Sequence, residues 1–135
     1  MGKVQAPFIS KHHPFIMITL YGIPNCDTVK KARAWLTEHD LDYQFHDFKK
    51  LEVPPDRLKL WMAAVGWETL LNRKGTMWRK QSPEVQARVV DANSAAELML
   101  MQSSVIKRPV VEWIANPSNV DITVGFKPDN WAKRL

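Results

Sequence analysis

Cysteine is almost missing from this chain: Cys26 is the one thiol in 135 residues. That scarcity excludes a disulfide framework and fits a reducing cytosol, so cytoplasmic residence is expected. Long hydrophobic runs are missing too. No apolar stretch approaches the roughly 20 residues that span a bilayer, because polar residues or proline interrupt each one. The opening segment lacks the apolar core and small-residue cleavage site of a secretory signal. No internal repeat is visible. Metal-ligand clusters are equally scarce. His12 and His13 are neighbours, but His39 and His46 add no ligand spacing, and no metal is expected. A strong charge of one sign is also lacking. The net charge is +5; residues 1–15 contribute Lys3 and Lys11 with no acid, leaving 17 basic against 14 acidic side chains elsewhere. That excess is too mild to demand nucleic acid, though it suffices for a local anion pocket.

What remains is enough for one folded domain, with 45% hydrophobic residues and six tryptophans to build a core. Residues 1–16 carry two prolines and no periodic pattern, and read as a flexible N-terminal extension; residues 17–135 read as a single domain.

The organising stretch is FIMITLYGIPNCDTVKKARAWL, from Phe15 to Leu36. Ile16, Ile18 and Leu20 alternate with Met17, Thr19 and Tyr21, the pattern of a mostly buried strand. Gly22 and Pro24 break it, and Asn25 is a good N-cap for a helix carrying Val29, Ala32 and Leu36 on one face. Cys26 is therefore expected in the first helical turn, where unpaired backbone N–H groups and the positive end of the helix dipole favour a thiolate. Lys30 and Lys31 follow within a turn. A lone cysteine otherwise often only fills space.

His39 and Asp40 close the helix, and within Asp42 to Phe48 the residues Tyr43 and Phe45 alternate with Gln44 and His46 as a second strand, parallel to the first across a βαβ unit. Pro54-Pro55 starts an amphipathic helix on Leu58, Trp61, Met62 and Val65 that ends near Gly66. A short helix over 67–71, the turn Asn72–Gly75, a further turn or short helix at Ser82-Pro83-Glu84 and a capping box at Ser94–Glu97 complete a helical insertion over about 54–103. Met99, Met101 and Trp61 read as plain core rather than a partner groove. Val105 to Trp113 leads into a strand, Asn116–Asn119 is turn chemistry, and Val120, Ile122 and Val124 alternate in an antiparallel partner. Pro128 opens a last helix with Trp131, and Lys133 and Arg134 lie at its C-terminal end. The order is βαβ, a helical insertion, then ββα: an α/β fold.

ITLYGIPNCDTVKKARAWL, LLNRKGTMWRK, IKRPVV and VGFKPDNW, in that order, resemble the arsenate reductase (ArsC)/Spx family, in its YffB-like branch, over essentially Met17 to Leu135. The resemblance implies a thioredoxin-like core with Cys26 as nucleophile and a cis peptide bond before Pro109. It implies anion-binding roles for Lys30, Arg108 and Lys127, each at a position where the arsenate reductases carry arginine. A further arginine position falls on Asn72 or Arg73. Lysine offers a point charge where arginine offers a bidentate fork, so the pocket suits the carboxylates of glutathione as well as an oxyanion. Exposed lysines are otherwise mostly solvated, Lys30 among the candidates, and Arg79 and Lys80 read as surface charges.

Spx-type regulators often carry a CxxC pair, whereas here Thr28 and Val29 follow Cys26. A disulfide on Cys26 must then be resolved by an outside thiol, from glutathione or glutaredoxin. The leading expectation is a glutathione-dependent thiol-disulfide reductase with no bound cofactor and glutathione as co-substrate. The alternatives are a Spx-like protein that binds RNA polymerase and a true arsenate reductase.

Overall fold

A computed structural model describes residues 17–135. The readings placed on residues 1–16, including the His12–His13 pair and Ile16 as a strand residue, lie outside the described residues. The chain opens with strand β1 (Met17–Gly22), helix α1 (Asp27–Glu38) and strand β2 (Gln44–Asp47). β1 and β2 pair in parallel, Leu20 opposite Phe45, as a βαβ crossover requires. Six helices follow: α2 (Phe48–Leu51), α3 (Pro55–Val65), α4 (Trp67–Leu70), α5 (Thr76–Arg79), α6 (Pro83–Arg88) and α7 (Ala92–Met101). A 3-10 turn at Ser103–Val105 leads to the antiparallel hairpin β3 (Val110–Asn116) and β4 (Asn119–Val124), and α8 (Pro128–Ala132) ends the chain. The strand order is β2-β1-β3-β4, with β1 and β3 antiparallel.

Side-chain alternation in the sheet builds two cores. Ile18, Leu20, Val111 and Trp113 point to the face covered by α1, through Val29, Ala32 and Leu36, and by Trp131 of α8. Trp131 stands edge-on to Trp113, ring centres 5.1 Å apart, and to Phe126 at 4.9 Å. Tyr21, Val110 and Ile122 point to the other face, where the helical segment packs through Leu58, Trp61, Leu70, Leu98 and Met99.

Polar groups enter that second core in one place. Glu112 is 2% exposed. The Tyr21 hydroxyl donates to its Oε1 at 3.0 Å, while Trp61 Nε1 (2.8 Å) and Arg57 Nε (2.8 Å) and Nη2 (2.7 Å) donate to Oε2. The cluster stitches α3 to β1 and β3. Burial, and after it the Glu112 charge, push the Tyr21 hydroxyl above its ordinary 10.0. Above that pH the unfolded chain releases a proton that the folded chain keeps, so stability falls as pH rises through this range. Denaturant titrations from about pH 9 to 11 should show a shallower fall in Tyr21→Phe than in the parent. Equal slopes would mean that Tyr21 titrates alike in both states.

Several local readings need correction. Asn25 does not cap α1; Cys26 itself is the N-cap, in extended backbone (φ −144, ψ 122) and with no side-chain cap bond. The turn from Gly22 is one residue longer than the apolar spacing suggested. The capping box before α7 is set by Asp91, not Ser94. Asp91 Oδ1 accepts from Ser94 N at 2.9 Å, and Ser94 Oγ accepts from Asp91 N at 3.1 Å, so Ser94 is the third helical residue. A carboxylate preceding the serine completes the same reciprocal pair one turn earlier. The Asp91 carboxyl is held below its usual range mainly by the Ser94 backbone N–H. Helices α2 and α5 have only four residues each, too short to show a period. Met101 is 81% exposed, so only Trp61 and Met99 of the proposed core trio are core. Arg134 lies beyond α8 and pairs with Asp121 of β4.

Candidate functional site

Cys26 sits where β1 gives way to α1 and is half-buried. Gly22 permits this junction, since a Cβ there would come within 2.9 Å of Val29 Cγ2. The strand end therefore passes close against the first turn of α1. The Cys26 carbonyl accepts the first helical bond, from Lys30 N at 2.9 Å. As N-cap, the thiol lies beside the unpaired N–H groups of that turn.

Facing the thiol is the segment that enters β3. The Arg108–Pro109 peptide bond is cis. Leu71 bridges to Ile106, Lys107 N donates to the Leu70 carbonyl (2.7 Å) and Asn72 N to the Val105 carbonyl (2.8 Å). Those bonds carry the end of α4 to the cleft and bring Asn72 with it. From the third side comes the β4–α8 junction, where Gly125 N donates to the Pro109 carbonyl at 2.8 Å. Lys127 is the exposed N-cap residue of α8.

These three segments enclose a cleft of about 310 Å³ lined by Cys26, Thr28, Asn72, Lys107, Arg108, Gly125, Phe126 and Lys127. No carboxylate is among the lining residues, so the positive charge of Lys107, Arg108 and Lys127 meets no counter-charge there. Arg108 is held by one bond, Nη1 to the Ser104 carbonyl at 3.0 Å, while its Nε is buried without a partner among the described residues. A buried N–H of a cation left unpaired is costly, and an anionic ligand would relieve it.

Four residues singled out in the sequence therefore meet: Cys26, Asn72, Arg108 and Lys127. Two others stand outside the cleft. Lys30 is exposed on α1. Arg73 turns outward, its guanidinium 5.5 Å from the Trp67 ring centre and 3.9 Å from Glu68. At the position left open between Asn72 and Arg73, Asn72 is the one that faces the thiol. Lys107, Thr28 and Phe126 were missed. Lys107 had a signal, its place beside Arg108 in IKRP, but adjacent residues in an extended segment ordinarily point to opposite sides. A larger cleft of about 420 Å³ on the opposite sheet face, lined in part by His46, Arg57 and Glu112, holds no thiol.

The ArsC family pattern matches residues 21–134. The chain belongs to the ArsC family. Among solved structures, a YFFB protein is 47% identical, with 88% of this chain and 99% of that one aligned at a TM-score of 0.80. An arsenate reductase (ArsC) related protein from Brucella melitensis is also 47% identical, over 87% of this chain and 93% of its own, at a TM-score of 0.67. The global transcriptional regulator Spx of Streptococcus pyogenes is 27% identical, over 70% of this chain and 71% of its own. The sheet and its helices are the thioredoxin-like fold of this ArsC-family domain. No helix of the described residues is long and apolar enough to cross a membrane, and none of their His, Cys, Asp and Glu side chains group to hold a metal.

Proposed function

We propose that this protein is a cytoplasmic, glutathione-dependent thiol-disulfide reductase. One observation supports it most: the chain's single thiol is half-buried in a cleft with three cationic side chains and no carboxylate. In the first step the Cys26 thiolate attacks the glutathionyl sulfur of a mixed disulfide, and the other sulfur leaves as a thiolate that takes up a proton. Cys26 then carries glutathione. A second glutathione thiolate attacks that sulfur, Cys26 leaves as thiolate, and the two glutathiones depart joined as their disulfide. Overall the mixed disulfide and one glutathione thiol give the freed substrate thiol and glutathione disulfide, so one glutathione thiol is oxidised as the substrate sulfur is reduced. With no second cysteine in the chain, resolution falls to an outside thiol, from glutathione or a glutaredoxin.

Within this scheme Arg108 and Lys127 hold the anionic groups of the substrate, and Asn72 adds an amide that accepts or donates. Lys30, outside the cleft, acts on the thiolate through charge alone. The test is turnover of a small glutathione mixed disulfide, with arsenate run alongside. Catalysis with the disulfide supports the reading, and arsenate turnover would move the protein to arsenate reduction. No turnover of either would overturn an enzymatic role. The likeness to Spx supports a second reading, an adaptor that binds RNA polymerase without turnover.

Arg108→Ala should lower kcat/KM with glutathione about tenfold or more, since a charge-assisted hydrogen bond contributes roughly 1.5–3 kcal/mol. The fold should survive, because the side chain gives up only its bond to Ser104. Arg108→Lys should recover attraction but not the planar fork, and so only part of the rate. Parent-like kinetics in Arg108→Ala would make the residue structural.

A further inference from the structure

Arg108 and Lys127 share the cleft with a third cation, Lys107. Its stem lies across Gly125: a Cβ at that glycine would stand 3.3 Å from Lys107 Cε and 4.0 Å from Nζ. Gly125 has φ +84, a conformation that disfavours side chains, and its N–H is tied to the Pro109 carbonyl. The β4–α8 junction therefore keeps a bare stretch of backbone beneath the Lys107 side chain, beside the cis peptide and opposite Cys26. No ion pair engages Lys107 among the described residues. The cleft adds to this the buried, unpartnered Nε of Arg108. One anionic group near the thiol would satisfy Arg108, while Lys107 and Lys127, both exposed, line the same cleft with no carboxylate beside them.

We propose that Lys107 is a third anion-binding arm of the cleft beside Arg108 and Lys127, so that Cys26 favours substrates bearing more than one negative charge. This substrate assignment rests on the reading of Cys26 as the attacking thiolate. The charge geometry itself does not. Lys107 binds through its point charge and does no chemistry.

The test uses two alkylating probes of nearly equal size, anionic iodoacetate and neutral iodoacetamide, on the whole protein. Both consume the same thiolate, so the ratio of their rates cancels the thiolate fraction and reports the local potential at the sulfur. Lys107→Ala should lower the iodoacetate-to-iodoacetamide ratio about threefold or more, the order of a partly solvated ion pair. Lys107→Arg should hold the ratio near the parent's, and Lys80→Ala, a remote surface change, should leave it unmoved. Added salt should erode the parent's ratio. An unchanged ratio in Lys107→Ala overturns the proposal, as does a Cys26 that neither probe alkylates. A second measurement follows mixed-disulfide formation by mass, comparing glutathione disulfide with uncharged hydroxyethyl disulfide. Lys107→Ala should slow the former selectively; equal slowing of both overturns the substrate assignment. If the parent forms no mixed disulfide with either, the reductase reading fails, while the alkylation ratio still decides whether Lys107 acts at the thiol.

Discussion

Glu112→Ala is expected to lower the melting temperature by about 10 °C or more, the largest stability loss of any single change outside the apolar core. Truncation of one partner of a buried ion pair costs roughly 3–5 kcal/mol. At this chain length each kcal/mol corresponds to several degrees. The cause lies in what remains. The Tyr21 hydroxyl and Trp61 Nε1 would be left buried with no acceptor, and each such group costs about 1–3 kcal/mol. Arg57 would suffer less, because its side chain is 38% exposed and can turn to water. Glu112→Gln should fall between, keeping an acceptor oxygen but losing the charge. The pair Tyr21→Phe with Glu112→Leu should lose less than Glu112→Ala alone, since it removes one of the two orphaned donors and keeps apolar volume in the gap. Thermal unfolding of the three variants beside the parent checks this. A loss under about 1 kcal/mol for Glu112→Ala would show that water replaces the carboxylate.

The second expectation concerns chemistry. Cys26→Ser should bring disulfide turnover down about a thousandfold or more, to background, since no other thiol exists to take over. Stability should hold or rise slightly. Cys26 makes no side-chain bond at the N-cap position, and serine is among the best residues there. The variant therefore separates catalysis from folding cleanly. It also separates the two functional readings. An adaptor that needs no turnover would still capture RNA polymerase with serine at this position, whereas a reductase would be dead while folded. Turnover that survives in a folded Cys26→Ser protein would remove Cys26 from the mechanism.

Much of this architecture was legible along the chain. Ile18, Leu20 and Val29, Ala32, Leu36 declared a strand and a helix by period alone, because both elements bury one face against a common core. Leu58 and Trp61 did the same for α3. Helices α2 and α5 were not legible, and neither was the shift of the α7 cap to Asp91. At four residues a helix has no period, and two capping candidates three residues apart differ only in which one finds the backbone in reach.

The sequence by itself determined the element order, the position of the sole thiol at a strand–helix junction, and the basic residues available to it. Each of these depends on residues within a turn or two of one another. The tertiary structure decided which of those residues meet. Glu112 reads as one polar residue in a strand, yet its partners Tyr21, Arg57 and Trp61 lie 91, 55 and 51 positions away. Asn72 rather than Arg73 faces the thiol because a bridge between Leu71 and Ile106 sets the direction of the chain there. Lys107 enters the cleft because Gly125, on another strand's exit, leaves room for its stem. Direction and room are properties of the packed neighbours. Local propensity ends at the element's own boundary, and the charge gathered around Cys26 is set by contacts beyond it.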